Sequence, residues 1–397
     1  MGGFLFVVPP LVGHVNPAVG TAAALAARGH HIAWAGHPEL VRGLAGADAV
    51  VFPCALPEDG LSRPAGLKGP AAFQFLWESF LVPLADAMAP GVRAAIEAYD
   101  PDVVVCDQQA VAGALVAESL GRPWVTSATT SAELVDPLAG MPKVAAWLDG
   151  LLAELRHRIT GGAGTGDPRF SPHGVLAYTT RALLGPVELP GRVWLVGPSV
   201  GARPAGPDDF PWEWLDASAL PTVLVSLGTA NNDAGARFLN AAAEALGGMA
   251  DRVRAVLVDP GRVVEHPVAD TVLVRGHVPQ LALLERLDAV VCHAGHNTVC
   301  EALWHGVPLV VAPIRDDQPI VAGQVVDAGA GVRLRFGRAD AARIGAAVEA
   351  VLDPAQGHRK AAEAIGESFR AAGGSKSAAD RLETLLAESA VTGVRGS

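Results

Sequence analysis

The chain has 397 residues, half of them hydrophobic and 18% charged, more than one ordinary core, so two α/β domains are expected. Its net charge of −11 argues against a nucleic-acid or anionic-membrane partner, so a phosphate site has to be built from backbone dipoles and a few His or Arg. Four cysteines without C-x-x-C spacing read as reduced core residues of a cytoplasmic protein, and neither a basic leader nor an apolar run of the ~18 residues needed for a membrane span is seen.

In chain order, the first half alternates short β-rich runs with helical stretches, the pattern of a parallel sheet covered on both faces. Strands are expected over 4–8, 31–35, 49–52, 102–106, 124–127, 175–178 and 193–196. The first strand does not lead into the G-x-G-x-x-G of a nicotinamide dehydrogenase; it runs into Leu11-Val12-Gly13-His14-Val15-Asn16-Pro17. The clearest helix is expected over 17–28, with Asn16 as N-cap and Pro17 at its first position. His14 then sits at the carboxyl end of one strand and Asp107 at the end of another, on the edge where a doubly wound sheet opens its crevice. A histidine suits the task of a base near neutral pH, worth ~10²–10⁴ in rate, and a carboxylate behind it fixes the tautomer.

Two stretches break the rhythm. Residues 54–70 are rich in Pro, Gly and Leu, and residues 128–172 have a Gly-rich centre. Loops of such length in a compact domain are usually functional or disordered. Phe73, Phe75, Leu76, Trp77, Phe80 and Leu81 cluster after the first, and Trp147 lies within the second. Phe75, Trp77, Phe80 and Trp147 are expected to wall a pocket for a lipophilic, ring-containing small molecule.

Residues 198–211 are dense in Pro, Gly and Asp and read as a linker. Beyond it the same rhythm restarts, with strands expected over Thr222–Ser226, Arg254–Val258, 271–274, Ala289–Cys292, 309–312 and 331–334. Helices are expected over 339–352, 355–371 and 375–388. The densest chemistry is His293-Ala294-Gly295-His296-Asn297-Thr298-Val299-Cys300-Glu301, closed by Pro313-Ile314-Arg315-Asp316-Asp317-Gln318. A strand, a Gly turn and a helix N-terminus offer unpaired N–H groups to an anion, helped by a dipole worth roughly 0.3–1 kcal/mol. Thr298 and Glu301 are three apart and share a helix face, so a carboxylate one turn beyond the phosphate can accept from ribose hydroxyls. Asp317 and Gln318 add a second hydroxyl-binding pair.

This segment resembles the nucleotide-sugar signature of the family-1 glycosyltransferases, H-x-G-x-N-[ST]-x-x-E, then G-x-P, a later P, and D-Q. It is held here by His293, Gly295, Asn297, Thr298, Glu301, Gly306, Pro308, Pro313, Asp317 and Gln318. The resemblance implies the GT-B fold, two Rossmann-like doubly wound α/β domains facing a cleft. An acceptor-binding domain would cover 1–200, a linker 201–216 and a nucleotide-sugar domain 217–375, with a helix over 376–397 crossing back to the first. By the same resemblance, His293 and the amides around Gly295 to Thr298 hold the diphosphate. Glu301 takes the ribose, and Asp317 and Gln318 take the sugar. His296 stands where plant members have a Trp at the sugar.

Ser226-Leu227-Gly228-Thr229 ends the first strand of the second half, so Ser226, Gly228 and Thr229 are further donor-site candidates. His277-Val278-Pro279-Gln280 resembles the family's base-binding turn, in which the ring at His277 stacks on the base and the Val278 backbone hydrogen-bonds it. The G-H-x-x-P context of His14, with Asp107, matches the family's base dyad. The implied activity is that of an inverting hexosyltransferase acting as a monomer or homodimer. It would move sugar from a dTDP- or UDP-sugar to a small lipophilic acceptor, such as a polyketide or other antibiotic aglycone. No cofactor is expected. No metal is expected either, since no His/Asp/Glu/Cys set has metal-ligand spacing. Two other readings share the fold: a nucleotide-sugar 2-epimerase, and a non-catalytic donor-binding subunit.

Overall fold

A computed structural model of the chain describes residues 1–57, 64, 67, 69–201, 210–228, 235–265 and 267–392, with side chains to 388. Thr229 and residues 202–209 of the 201–216 linker lie outside the described residues, as does part of the 54–70 stretch. The first sheet holds β1 (Gly3–Val7), β2 (His31–Gly36), β3 (Val51–Pro53), β4 (Val103–Asp107), β5 (Trp124–Ala128), β6 (Val175–Ala177) and β7 (Val193–Leu195). The second holds β8 (Thr222–Ser226), β9 (Arg254–Val258), β10 (Val272–Arg275), β11 (Ala289–Cys292), β12 (Leu309–Val311) and β13 (Gly331–Arg333). Every strand expected from the sequence is present, three with the expected bounds and the others with ends moved by at most two residues. Runs such as Val103-Val104-Val105 and Ala289-Val290-Val291 are buried on both faces, which is why they read as unbroken apolar strings rather than alternating ones.

All pairings are parallel, in the orders β3-β2-β1-β4-β5-β6-β7 and β10-β9-β8-β11-β12-β13. Each order reverses direction once, between β1 and β4 in the first sheet and between β8 and β11 in the second. Loops leaving the carboxyl ends of the two strands at a reversal diverge and leave a crevice between them. The molecule therefore has two such crevices, one per sheet, and helices packed on both faces of each sheet bury its apolar sides.

Two expectations fail locally. The first helix spans Val12–Ala26 rather than starting at Pro17, and Leu11 replaces Asn16 at its N-cap. The Leu11 carbonyl accepts from the amides of His14 (3.0 Å) and Val15 (3.1 Å), so His14 lies within the first turn. Pro17 is then internal, and with no N–H it cannot bond the Gly13 carbonyl four residues back. Residues 128–172 also prove more ordered than expected, since the 19-residue helix Pro142–Thr160 occupies their middle.

The helical run Gly69–Tyr99 is long and apolar enough to cross a membrane by length and composition, which the sequence reading did not expect; 56% of the apolar 18-residue stretch within it is buried. Leu84, Met88, Val92 and Ile96 pack it onto the first sheet's core with β1 and β4 side chains. The final helix, Ser375–Thr392, lies against the helix Val12–Ala26. Its Ala378, Ala379, Leu382 and Leu385 join the core around Phe4 and Phe6. At its edge Arg28 meets Asp380 at 2.7 Å, and His30 Nε2 meets Glu383 at 2.9 Å.

Candidate active site

The two crevices face each other across one cleft of about 620 Å³. On the first-domain side, His14 follows β1 and Asp107 ends β4, the two strands at the reversal. Asp107 Oδ1 and Oδ2 lie 3.0 and 3.1 Å from His14 Nδ1. Asp107 is held by two further donors, the Gln109 amide at 2.8 Å and the Thr129 hydroxyl at 2.7 Å. Those bonds fix in place a carboxylate whose side chain is 1% exposed. Burial pulls the His14 imidazole down, but the charge and hydrogen bond of Asp107, with the charge of Asp317, outweigh it and raise His14 above its ordinary value. With Nδ1 turned to Asp107, the proton-accepting nitrogen of neutral His14 is Nε2.

On the other side, β8 ends at Ser226 and β11 delivers His293, again the two strands at the reversal. The helix His296–Trp304 begins behind Gly295, and no side chain caps its first amides, which leaves them for an anion. Gly228 and Gly295 flank the His293 ring, where an added Cβ would stand 2.7 Å from Cε1 and 2.3 Å from Nε2 respectively. Burial, together with the charge of Arg315, lowers His293 to about 4, so it is a neutral donor or acceptor at pH 7. Among the described residues lining the cleft, Arg315 carries the one guanidinium. One turn along the helix, Glu301 accepts from Gln280 Nε2 at 2.7 Å, tying the Val278-Pro279-Gln280 turn to the ribose candidate.

Of the residues expected from the sequence, His14, Phe75, Phe80, Ser226, Gly228, His277, Val278, His293, Gly295, His296, Asn297, Thr298, Glu301, Asp317 and Gln318 all border the cleft. Asp107 stands just behind His14. Thr229 lies outside the described residues. Two acceptor candidates are corrected. Trp77 is 2% exposed in the first-domain core, with Arg169 over its ring at 5.8 Å, and Trp147 packs against Phe73 and donates to Glu78. A π-helical turn at Leu76–Leu81 sets which side chains of this run face in, and Leu11 and Leu76 join Phe75 and Phe80 at the cleft instead.

Three donor candidates also hold the two domains together. Asn297 Nδ2 donates to the Gly13 carbonyl at 2.7 Å, filling the acceptor that Pro17 leaves open. Asp317 Oδ2 accepts from the Thr130 hydroxyl at 2.7 Å. His296 is 5% exposed, with Nδ1 3.3 Å from Ser131 Oγ and Nε2 3.3 Å from the Tyr178 carbonyl. Gln318 staples its own loop, its Oε1 accepting from the amides of Ile314 (2.9 Å) and Arg315 (3.1 Å). Thr129, Thr130, Ser131 and Arg315 were not singled out from the sequence. The available signal was three consecutive hydroxyl residues at the carboxyl end of the strand beside β4. Among the described residues, no three His, Cys, Asp or Glu side chains gather as a metal site.

Comparison with known proteins agrees with this architecture. Residues 251–385 match the family model described as erythromycin biosynthesis protein CIII-like, C-terminal domain. The chain is 32% identical to 4'-demethylrebeccamycin synthase of Lentzea aerocolonigenes over 433 residues, covering 96% of this chain and 99% of that one. It is 30% identical to demethyllactenocin mycarosyltransferase of Streptomyces fradiae over 417 residues, covering 98% and 88%. Among solved structures, the glycotransferase of kitacinnamycin superposes with a TM-score of 0.78 at 29% identity, covering 97% of this chain and 99% of that one. With two parallel α/β domains facing one cleft and a full-length relative above 30% identity, the chain belongs to the family-1, GT-B-fold glycosyltransferases, alongside those of bacterial natural-product and macrolide type.

Proposed function

We propose that this glycosyltransferase inverts the configuration of a sugar as it moves it from a dTDP- or UDP-sugar to a small lipophilic acceptor, with His14 as general base. The observation that carries the reading is the pairing of part-buried His14, through Nδ1, with buried Asp107, on the wall of a cleft whose opposite wall is an uncapped helix N-terminus. In the step, the acceptor oxygen attacks the anomeric carbon on the face opposite the diphosphate. Its proton passes to His14 Nε2 while the carbon–oxygen bond to the diphosphate breaks, and the bonding pair leaves with the nucleoside diphosphate.

Asp107 stabilises the imidazolium that forms. The amides at Gly295 to Thr298, His293 and Arg315 receive the growing negative charge on the leaving group. Asp317 and Gln318 hold sugar hydroxyls, Glu301 the ribose, and His277 with the Val278 backbone the base. Leu11, Phe75, Leu76 and Phe80 give the acceptor an apolar wall. Relatives named for rebeccamycin and lactenocin chemistry support an antibiotic aglycone as acceptor. The test is nucleoside diphosphate release from dTDP- and UDP-sugars, with and without acceptor, with the anomeric configuration of the product read by NMR. Acceptor-dependent release with inversion is expected, and His14→Ala should lower it ~10²–10⁴-fold on an aliphatic alcohol. Retention of configuration, or full activity of the variant, rejects the mechanism.

A further inference from the structure

The turn after β5 places three consecutive buried hydroxyls, Thr129, Thr130 and Ser131, each facing a different group. Thr129 Oγ1 lies 2.7 Å from His14 Nδ1 and donates to Asp107 Oδ2 at 2.7 Å. Thr130 Oγ1 donates across the cleft to Asp317 Oδ2 at 2.7 Å. Ser131 Oγ reaches Gln324 Oε1 at 2.6 Å and His296 Nδ1 at 3.3 Å, both on the second domain. The Gln324 amide nitrogen has no partner among the described residues. With that amide turned end for end, a directional chain runs from Gln324 N–H to Ser131, from Ser131 O–H to His296 Nδ1, and from His296 Nε2–H to the Tyr178 carbonyl. It requires a neutral His296, and burial does lower that imidazole to about 4.

We propose that Thr129–Thr130–Ser131 is a positioning strap that sets the distance between the base and the sugar-holding carboxylate. The inference rests on the proposed roles of His14 and Asp317. Those two groups belong to different domains, so nothing in either sheet fixes their separation. Neighbouring residues of the strap grip one each, and adjacent Cα atoms stand a constant ~3.8 Å apart. A displacement transfer needs the reacting atoms about 3–3.5 Å apart, and an error of ~1 Å costs on the order of 10²-fold. Thr129 therefore aims the imidazole, Thr130 gauges it against the donor, and Ser131 ties the strap to the donor domain.

Kinetics of Thr129→Val and Thr130→Val, singly and together, with ¹⁵N NMR of the His14 ring, test this. Each single variant should lose about tenfold or more in kcat for an aliphatic alcohol, the scale of one hydrogen bond to a charged group, with donor KM within about twofold. Thr130→Ser keeps the hydroxyl and should restore the rate. The double variant should fall little below the slower single, because the two act as one unit. In Thr129→Val neutral His14 should keep the Nδ1–H tautomer that Asp107 demands, while the Nδ1 resonance shifts as its contact with the Thr129 oxygen is lost. Unchanged kcat in either single variant, additive losses, or an unaltered Nδ1 resonance in Thr129→Val would overturn the strap. Absence of acceptor-dependent release by the unaltered chain would instead sink the proposed reaction, and the Nδ1 resonance would still decide whether Thr129 aims His14.

Discussion

At the scale of single residues, the His14–Asp107 pair makes a prediction about pH. Burial lowers the His14 imidazole, and Asp107 and Asp317 more than restore it, so its pKa stands above the ordinary histidine value. In the proposed mechanism the working base is the neutral ring, so kcat/KM should rise with pH and level off above that raised value. Asp107→Asn removes the first opposing charge and leaves burial in command. The acid limb should then move to lower pH while the plateau falls, less far than in His14→Ala, since Asp107 orients the base and takes no proton itself. A limb that stays put in Asp107→Asn would assign it to another group. His14 and Asp107 were legible before any coordinates because each ends a strand, and strand ends on one edge of one sheet converge by topology. Thr129 and Thr130 were not. Their partners include Asp317, 187 residues from Thr130, and that meeting depends on how two domains close rather than on any local pattern.

At the scale of elements, the helix His296–Trp304 combines an uncapped N-terminus with Glu301 one turn in. Diphosphate and ribose are spaced along a nucleotide much as a turn and its next carboxylate are along a helix. Glu301→Ala should therefore raise donor KM about tenfold or more, the scale of hydrogen bonds to a charged group, and leave acceptor KM alone. Equal changes in both KM values would reduce Glu301 to a packing role. Strands proved the easiest elements to read, because both sheets are covered on two faces and their strands are short apolar strings bounded by turns. Helix starts were harder. The Asn16-Pro17 pair imitates a cap followed by a first-position proline, yet the Leu11 carbonyl had already begun the helix. The aromatic run at 73–81 misled for a related reason. A helical stripe offers the same side chains to the core and to a pocket, and the π turn at Leu76–Leu81 decides between them.

At the scale of the molecule, two buried imidazoles in the domain interface make stability depend on acid. His293 and His296 are each lowered to about 4, chiefly by burial. Unfolded, both would titrate near ~6.5. Their contribution is complete above that value and is lost as pH falls towards about 4, because over this window the unfolded chain binds protons that the folded one refuses. The melting temperature should drop across that window and drop less in His296→Gln; a flat profile would show that the interface opens to admit the proton. The docking of the two domains also draws on a flaw in a helix. Pro17 denies the Gly13 carbonyl its own-helix partner, and Asn297 of the facing domain occupies it. Pro17→Ala should return that carbonyl to its helix, straighten the first turns and raise the melting temperature of the first domain. The same change should weaken the grip of Asn297, visible as a larger radius of gyration in X-ray scattering and a lower kcat. A perfect helix here would be self-sufficient, and a self-sufficient surface has no reason to hold a neighbour.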